Sequence, residues 1–293
     1  MTLFTGSCTA MITPFTEDGI DFEAYGRLID FQIENGTDAL LIAGTTGEPP
    51  TMTAQEKSDL IRFALDRINK RVPAIVSTGG NNTAAVIEAS LAAQAAGADC
   101  LLVVTPYYNK ATQKGLIAHY NAVADAVDTP IMVYNVPGRT GVNLLPGTFA
   151  EIARHKNIVA MKEACGNVAQ AQETLRLSRG QADLYCGEDA ITVPLMAMGA
   201  KGVVSVVSNI LPRDTHEMCA AALRGDFTTA AEMQHRLNPV IDALFCEVSP
   251  IPVKTAAGLM GLCSDRVRLP LCPMEEPTKN RLIRAMRDYG IQF

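Results

Sequence analysis

A lysine ends a short apolar run in the middle of the chain, where burial of its ammonium group would be costly. The run Ile158–Lys162 reads Ile-Val-Ala-Met-Lys. Burial disfavours the charged form of a lysine and lowers its pKa, and a neutral amine can attack a ketone to form a Schiff base. Lys162 is therefore a candidate nucleophile. The alternative is a structural lysine that reaches solvent or pairs with the adjacent Glu163.

Two threonines lie between two glycines in the segment Gly44–Glu48. The glycines let a ligand approach the backbone closely, and the exposed amides and hydroxyls of Thr45 and Thr46 could bind a carboxylate. The segment does not have the lysine spacing of a P-loop. The alternative is a tight turn in which Glu48 is an acidic residue at the start of a helix. The local sequence leaves both interpretations open.

Tyrosines and an arginine follow two further apolar runs. Tyr107 and Tyr108 are adjacent, and a phenol there could relay a proton or face another subunit. In the segment Tyr134–Gly141, Arg139 could grip a carboxylate with its planar guanidinium, and Tyr134 could act as a general acid–base. The alternatives are a packed aromatic pair, a packed tyrosine and a solvated arginine. The combination of these residues with the lysine and the threonines favours the functional interpretation.

Eight short apolar runs alternate with amphipathic stretches, as expected of strands covered on both faces with helices between them. The pattern predicts an α/β fold, a (β/α)8 TIM barrel, with an open doubly wound sheet as the alternative. The barrel is favoured because the eighth unit ends near residue 224 and because no dinucleotide-binding fingerprint follows the first run. The runs are Cys8–Ile12, Ala39–Ala43, Ala74–Ser77, Cys100–Thr105, Ile131–Asn135, Ile158–Lys162, Leu184–Cys186 and Gly202–Val207.

The last part of the chain has helical patterns and no strand-like run. Residues 1–224 are predicted to form the catalytic barrel and residues 225–293 a C-terminal helical domain. Its three predicted helices are Asp226–Phe245, Ile251–Gly261 and Glu275–Tyr289. Barrel enzymes carry their active sites at the carboxyl ends of the strands. The barrel would therefore bring the chemically unusual residues to one face.

The composition argues against several functional classes. The chain has 293 residues and a net charge of −6, with 48% hydrophobic and 19% charged residues. Such a chain is unlike a disordered one, and it lacks the basic excess of a nucleic-acid-binding protein. No apolar stretch is long enough for a membrane span and no leader pattern is evident, so a cytoplasmic protein is expected. The cysteines and histidines show no metal-ligand spacing, so no metal is expected.

Several of these segments resemble the pyruvate-dependent class I aldolase family, and within it the dihydrodipicolinate synthase branch. They are Gly44–Glu48, Thr105–Asn109, Tyr134–Gly141 and Lys162. The likeness covers nearly the whole chain, including Pro250–Lys254. The double threonine and the Gly-Arg-Thr-Gly sequence are more specific to that branch than are the lysine and the Tyr-Asn pair.

The resemblance implies that pyruvate forms a Schiff base with Lys162, becomes an enamine and attacks L-aspartate 4-semialdehyde. The product would be 4-hydroxy-tetrahydrodipicolinate, in lysine and diaminopimelate biosynthesis. No cofactor would be needed, because the imine itself withdraws the electrons. Tyr134, Thr45 and Tyr108 would relay protons, with Tyr108 reaching across to a neighbouring subunit of a homotetramer. The substrate-binding residues would be Thr46, Arg139, Gly187 and Val204.

Two other functions remain open. The first is another pyruvate-type aldolase, such as N-acetylneuraminate lyase or a keto-deoxy sugar acid aldolase. The second is a catalytically silent barrel that binds a 2-oxo acid as a sensor. The presence of a full set of proton-relay residues argues against the sensor, because binding alone needs no relay.

One difference from lysine-inhibited members of the family concerns regulation. Those members carry an acidic residue and histidines in a second site, where this chain has Ala85, Ala54 and Lys57. An ammonium-bearing effector would lose a carboxylate partner there and meet a like charge. Asn81 and Tyr107 still match. The resemblance therefore predicts weak or absent inhibition by lysine.

Overall fold

The computed structural model describes residues 2–293 and contains a closed barrel of eight parallel strands, each paired with the next and the first with the last. The predicted TIM barrel is confirmed, and the open-sheet alternative is wrong because Gly6 to Thr9 pair with Gly202 to Ser205. The strands are β1 Gly6–Ala10, β2 Ala39–Ile42, β3 Ala74–Ser77, β4 Cys100–Val104, β5 Ile131–Asn135, β6 Ile158–Glu163, β7 Asp183–Cys186 and β8 Gly202–Ser205.

Helices surround the barrel and cover its outer face. Within residues 2–293 there are twelve α-helices: α1 Phe22–Glu34, α2 Ala54–Ile68, α3 Thr83–Ala96, α4 Gln113–Ala126, α5 Pro137–Thr140, α6 Pro146–Ile152, α7 Val168–Leu177, α8 Thr192–Ala197, α9 Pro212–Leu223, α10 Phe227–Leu244, α11 Ile251–Leu259 and α12 Glu276–Tyr289. No helix in this range is both long enough and apolar enough to cross a bilayer.

The two faces of each strand belong to different apolar layers, since successive side chains point to opposite sides. Outward-facing residues pack against the helices. The inward-facing residues fill the barrel and are mostly small or medium in size, as a closed eight-stranded barrel requires. They include Cys8, Ala10, Ala39, Leu41, Ile75, Cys100, Leu102, Met132, Tyr134, Ala160, Tyr185 and Val204.

The first and last strands end earlier than the apolar runs predict. β1 ends at Ala10, although Met11 and Ile12 remain buried beyond it. β8 ends at Ser205, and a 3₁₀ turn begins at Val207. Apolar residues at a strand end stay buried in the following loop, so the hydrophobic pattern continues after the ladder has stopped.

The C-terminal helices pack directly on the barrel. α10 contacts α8 and α9 as well as α12, and it reaches the turns that follow β7 and β8. The three predicted helices are present, and each end lies within two residues of the predicted one. The division into domains 1–224 and 225–293 stays a prediction.

Candidate active site

The two residues at the centre of the candidate site are neighbours on adjacent strands. Tyr134 on β5 is registered with Lys162 on β6, so both side chains project into the barrel. Lys162 is only 5% exposed, and its Nζ lies 4.4 Å from the centroid of the Tyr134 ring. This contact places an amine directly beside a phenol at the carboxyl end of the barrel.

Lys162 is not paired with the glutamate that follows it. Glu163 points to the opposite face of β6, where its carboxylate accepts hydrogen bonds from Asn135 Nδ2 at 3.0 Å, Gln170 Nε2 at 3.2 Å and the backbone N–H of Cys165 at 2.9 Å. Burial raises the pKa of the Glu163 carboxyl. None of the salt bridges formed within residues 2–293 involves Lys162. The structural interpretation of Lys162 as a solvent-reaching or Glu163-paired residue is therefore wrong.

Gly187 lies against the lysine stem, and Val204 faces the interior of the same barrel. A Cβ added at Gly187, directly after β7, would lie 3.0 Å from both Cγ and Cε of Lys162 and 2.8 Å from the Ala164 Cβ. Glycine at this position therefore leaves room for the Lys162 side chain. Val204 on β8 is buried and faces the barrel interior beside Cys8.

The threonine segment follows β2 as a short 3₁₀ turn, Thr45–Gly47. The Thr46 side chain is buried and that of Thr45 is exposed. The turn is closed by the Gly47 N–H, which donates to the Gly44 carbonyl at 2.8 Å. Gly47 also lies tightly against the loop after β1, since an added Cβ would be 3.1 Å from the Thr13 hydroxyl. The turn is thus held against its neighbour at the barrel mouth.

Glu48 forms a buried ion pair, a role that differs from that of an acidic residue at the start of a helix. Its backbone is left-handed, with φ of 57°, and its side chain is buried against Lys254 of α11. Lys254 Nζ donates to Glu48 Oε1 at 2.7 Å, and neither side chain has any solvent exposure. Burial lowers the pKa of Lys254, and the Glu48 carboxylate opposes that shift. We did not predict this pair; the only sequence signals were an acid in a glycine-rich turn and a lysine in the Pro-rich segment.

The tyrosine pair follows β4 on an exposed loop. Tyr108 is 89% exposed and has a φ of +71°, an uncommon conformation for a bulky residue. Within one chain, Tyr108 is therefore not packed against Tyr134 or Lys162. Asn109 anchors the loop by donating from Nδ2 to the Asn81 carbonyl at 2.9 Å.

Arg139 lies in the one-turn helix α5, directly after β5. Its side chain reaches the C-terminal helices, where Nη2 donates to the Ser249 carbonyl at 3.1 Å. The rest of the residue is exposed. Arg139 is thus on the same end of the barrel as Lys162, with donors left to bind an anion.

Two acidic residues, Glu188 and Asp189, follow β7, and Asp189 has a structural role. The buried Asp189 accepts hydrogen bonds from the backbone N–H groups of Val206 at 2.8 Å and Val207 at 3.1 Å, and so holds the loop after β8. Glu188 is partly buried. Burial raises the pKa of its carboxyl, and the positive charge of Lys162 opposes that rise. Glu188 is therefore within electrostatic reach of the lysine.

The three residues that differ from the lysine-inhibited pattern lie on α2 and α3. Ala54 and Ala85 are exposed and Lys57 is half-buried. Ala54 and Lys57 line a groove of about 520 Å³ between the two helices. Across residues 2–293, no cluster of three or more His, Cys, Asp or Glu side chains is placed to hold a metal ion.

Comparison with known proteins agrees with this geometry. Residues 3–288 match the dihydrodipicolinate synthetase family. The chain belongs to the dihydrodipicolinate synthetase family. A relative from Geobacter sulfurreducens, named 4-hydroxy-tetrahydrodipicolinate synthase, is 52% identical over 289 residues, which cover 99% of this chain and 100% of the relative.

Solved structures of this family superpose closely on the chain. A dihydrodipicolinate synthase from Thermotoga maritima matches with a TM-score of 0.98 and 42% identity, covering 99% of this chain and 100% of that structure. One from Acinetobacter baumannii, crystallised with pyruvate, matches with a TM-score of 0.97 and 41% identity, covering 99% and 100%. The family resemblance read from the sequence is confirmed.

Proposed function

We propose that this chain is a Schiff-base-forming lyase that condenses pyruvate with L-aspartate 4-semialdehyde to give 4-hydroxy-tetrahydrodipicolinate, in lysine and diaminopimelate biosynthesis. The observation that carries the proposal is the buried Lys162, which forms no salt bridge within residues 2–293 and lies beside Tyr134. An amine beside a phenol, which can accept or donate a proton, is suited to attack a ketone. The relatives that are named 4-hydroxy-tetrahydrodipicolinate synthase support the choice of these two substrates.

The first half of the reaction takes place on pyruvate. The Lys162 amine attacks the ketone carbon, and the resulting carbinolamine loses water to become a protonated imine. The imine withdraws electrons from the neighbouring methyl group, so that a proton can leave and an enamine forms. The electron sink is covalent and belongs to the substrate adduct, so the proposed reaction uses no cofactor.

The second half joins the two substrates. The enamine carbon attacks the aldehyde carbon of the semialdehyde, and the new alkoxide takes up a proton. The amino group of the semialdehyde then attacks the imine carbon, which closes the ring and returns Lys162 as a free amine. Each step needs a proton donor or acceptor close to Lys162, and we assign that role to the Tyr134 hydroxyl, whose ring centroid lies 4.4 Å from Lys162 Nζ.

The remaining site residues are assigned the roles that the family resemblance implies. Thr45 continues the relay from Tyr134, and Thr46 holds the pyruvate carboxylate. Arg139 binds the carboxylate of the semialdehyde and steadies the relay. Gly187 and Val204 form the wall around the Lys162 stem, as the close approach of Gly187 to that stem supports.

Tyr108 completes the relay in a neighbouring subunit, and the working protein is a homotetramer built as a dimer of dimers. Two features of Tyr108 support this assignment. Its ring is almost fully exposed in the single chain, and its loop holds it in a left-handed backbone conformation. A partner subunit would cover that ring. We further propose that the protein works in the cytoplasm.

The test of the central step is to trap the imine. Pyruvate is added, borohydride then reduces any imine to a stable secondary amine, and the modified lysine is mapped by mass spectrometry. We expect an adduct on Lys162. The absence of an adduct, or one on Lys254 alone, would overturn the proposal. An adduct without consumption of the aldehyde would point to the sensor interpretation.

A further inference from the structure

The buried ion pair between Glu48 and Lys254 joins the threonine turn to the C-terminal helices. Both oxygens of the Glu48 carboxylate are used from that side. Oε1 accepts from Lys254 Nζ at 2.7 Å, and Oε2 accepts from the backbone N–H of Arg268 at 3.0 Å. The pair is sealed by the fully buried Phe15, whose ring centroid lies 4.3 Å from Lys254 Nζ and 4.1 Å from the Arg268 guanidinium carbon.

Glu48 is connected to the threonines through the backbone. Its N–H donates to the Thr45 carbonyl at 3.2 Å, and its carbonyl accepts from Thr51. The left-handed conformation of Glu48 separates the 3₁₀ turn Thr45–Gly47 from the next one, Pro49–Thr51. A displacement of the Glu48 side chain would therefore move both turns.

The same part of the C-terminal domain also contacts the arginine loop. The Ser249 carbonyl, five residues before Lys254, accepts the hydrogen bond from Arg139. The segment from Ser249 to Lys254, which includes the start of α11, thus contacts both loops to which we assign carboxylate binding. This short segment links the two loops.

We propose that Glu48 and Lys254 are positioning residues, whose ion pair fixes the threonine turn in the place where it binds the carboxylate of pyruvate. This inference rests on the proposed function, since it presumes that pyruvate binds beside the turn. The C-terminal helices are then part of the substrate site, although none of their side chains needs to touch the reacting atoms.

A purely structural pair would stabilise the fold and leave pyruvate binding unchanged. The two roles are separated by the pyruvate concentration that gives half of the maximal borohydride-trapped adduct, together with KM and kcat. Glu48→Gln keeps a side-chain acceptor of the same size and removes the charge. The double variant Glu48→Gln/Lys254→Met removes both charges and leaves no buried charge unpaired, which protects folding.

The matched control is Asp38→Asn, which disrupts the Asp38–His216 pair at 2.9 Å. Asp38 immediately precedes β2, so this pair lies at the opposite end of the barrel. We expect the double variant to need at least about tenfold more pyruvate for half-maximal trapping, because a small misplacement of binding groups is costly. At saturating pyruvate the adduct should still form on Lys162. Asp38→Asn should lower the Tm without changing the half-saturating concentration.

Three outcomes would overturn the inference. They are a folded double variant with the half-saturating concentration of the native protein, an equal shift in Asp38→Asn, and loss of the fold in both Glu48 variants. If the native protein itself forms no adduct on Lys162, the proposed function fails as well. The two failures are therefore distinguishable.

Discussion

Two lysines of this chain are buried at the same end of the barrel, and their surroundings differ in one respect. Lys254 is bound to a carboxylate at 2.7 Å, whereas Lys162 has a phenol ring at 4.4 Å and forms no salt bridge within residues 2–293. Both ammonium groups lie over an aromatic face, that of Phe15 for Lys254 and that of Tyr134 for Lys162. The aromatic contact is therefore common to both, and the carboxylate is what separates them.

The comparison indicates how the surroundings of a buried lysine determine what the side chain can do. The ion pair with Glu48 occupies the Lys254 ammonium and joins two distant segments of the chain. Lys162 forms no salt bridge within residues 2–293, so its amine is not occupied by a carboxylate. Lys254 thus holds two segments together, whereas we propose that Lys162 is the nucleophile.

The largest expected effect comes from removing the unpaired lysine. Lys162→Met should abolish the borohydride-trapped adduct and lower kcat/KM by at least about a thousandfold, since a covalent catalyst acts as a unit with its relay. Lys254, which is unchanged in this variant, should form no adduct with pyruvate. Mass spectrometry after trapping, and turnover with both substrates, measure the result. Appreciable turnover in this variant, or an adduct moved to Lys254, would break the comparison.

The second prediction tests whether Arg139 binds the second substrate without affecting imine formation on Lys162. Arg139→Met should raise KM for aspartate semialdehyde about 10- to 100-fold, because a hydrogen bond to a charged group is worth about 1.5–3 kcal/mol. Trapping of pyruvate on Lys162 should change much less. The control is Arg154→Met on the segment after α6, where the arginine pairs with Glu151 at the surface. An unchanged KM would favour a different aldehyde and thus one of the other pyruvate-type aldolases.

The third prediction places a methyl group against the stem of the unpaired lysine. Gly187→Ala should cost about 1–3 kcal/mol of stability through overpacking and should lower kcat about tenfold by displacing Lys162. Thermal unfolding and steady-state kinetics check the two effects. Gly147→Ala is the control, because a Cβ there meets nothing within 4 Å. Similar behaviour of the two variants would show that Gly187 does not confine the lysine.

A smaller effect is expected from the ion pair between Arg268 and Glu56, which lies near Lys254 and is partly exposed to solvent. Arg268 and the backbone of Thr53 lower the pKa of Glu56 to about 2. A depressed carboxyl pKa stabilises the fold above the unfolded-state pKa, and that contribution is lost as the pH falls through the folded-state pKa. Glu56→Gln should therefore cost up to about 1 kcal/mol at pH 7, because solvent screens the pair. Denaturant unfolding from pH 7 downwards should show the difference shrinking below the ordinary glutamate pKa of 4.5 and vanishing near pH 2. A constant difference would exclude a charge effect.

The smallest expected effect concerns an ammonium group supplied from solution. Free L-lysine should inhibit weakly or not at all, because Ala54 and Ala85 offer it no carboxylate and Lys57 repels it. Initial rates at increasing L-lysine concentration, with ionic strength held constant, measure this. Strong inhibition at sub-millimolar lysine would contradict the prediction.

The sequence predicts the unpaired lysine better than it predicts the paired one. Lys162 ends an apolar strand, so its burial follows from the hydrophobic pattern. Lys254 lies in a helix, and its partner Glu48 is 206 residues away. No local pattern indicates a contact at that separation. The same limit applies to Arg139 and Ser249, which meet only when the C-terminal helices dock.

The architecture was largely predictable, with the errors at the strand ends. The alternation of apolar runs and helices indicated eight strands, and the three predicted C-terminal helices have ends within two residues of those observed. β1 and β8 were misplaced because buried loop residues such as Ile12 and Val207 carry the same hydrophobic signal as the ladder. The exposure of Tyr108 had no local signal, since it depends on what the rest of the chain leaves uncovered.

The neighbouring residues Lys162 and Glu163 lie on opposite faces of β6, and this imposes a parity rule on the chemistry. Between the register shift near the start of β6 and Lys162, deletion of a single residue would exchange the two faces. The carboxylate would enter the barrel beside Tyr134, and the ammonium would take the outward-facing position of Met161. Substitutions in this stretch conserve the arrangement of faces, whereas an insertion or deletion of one residue inverts it unless a bulge absorbs the change. The stretch can therefore vary in composition, but its length is set by the side of the strand on which the amine must lie.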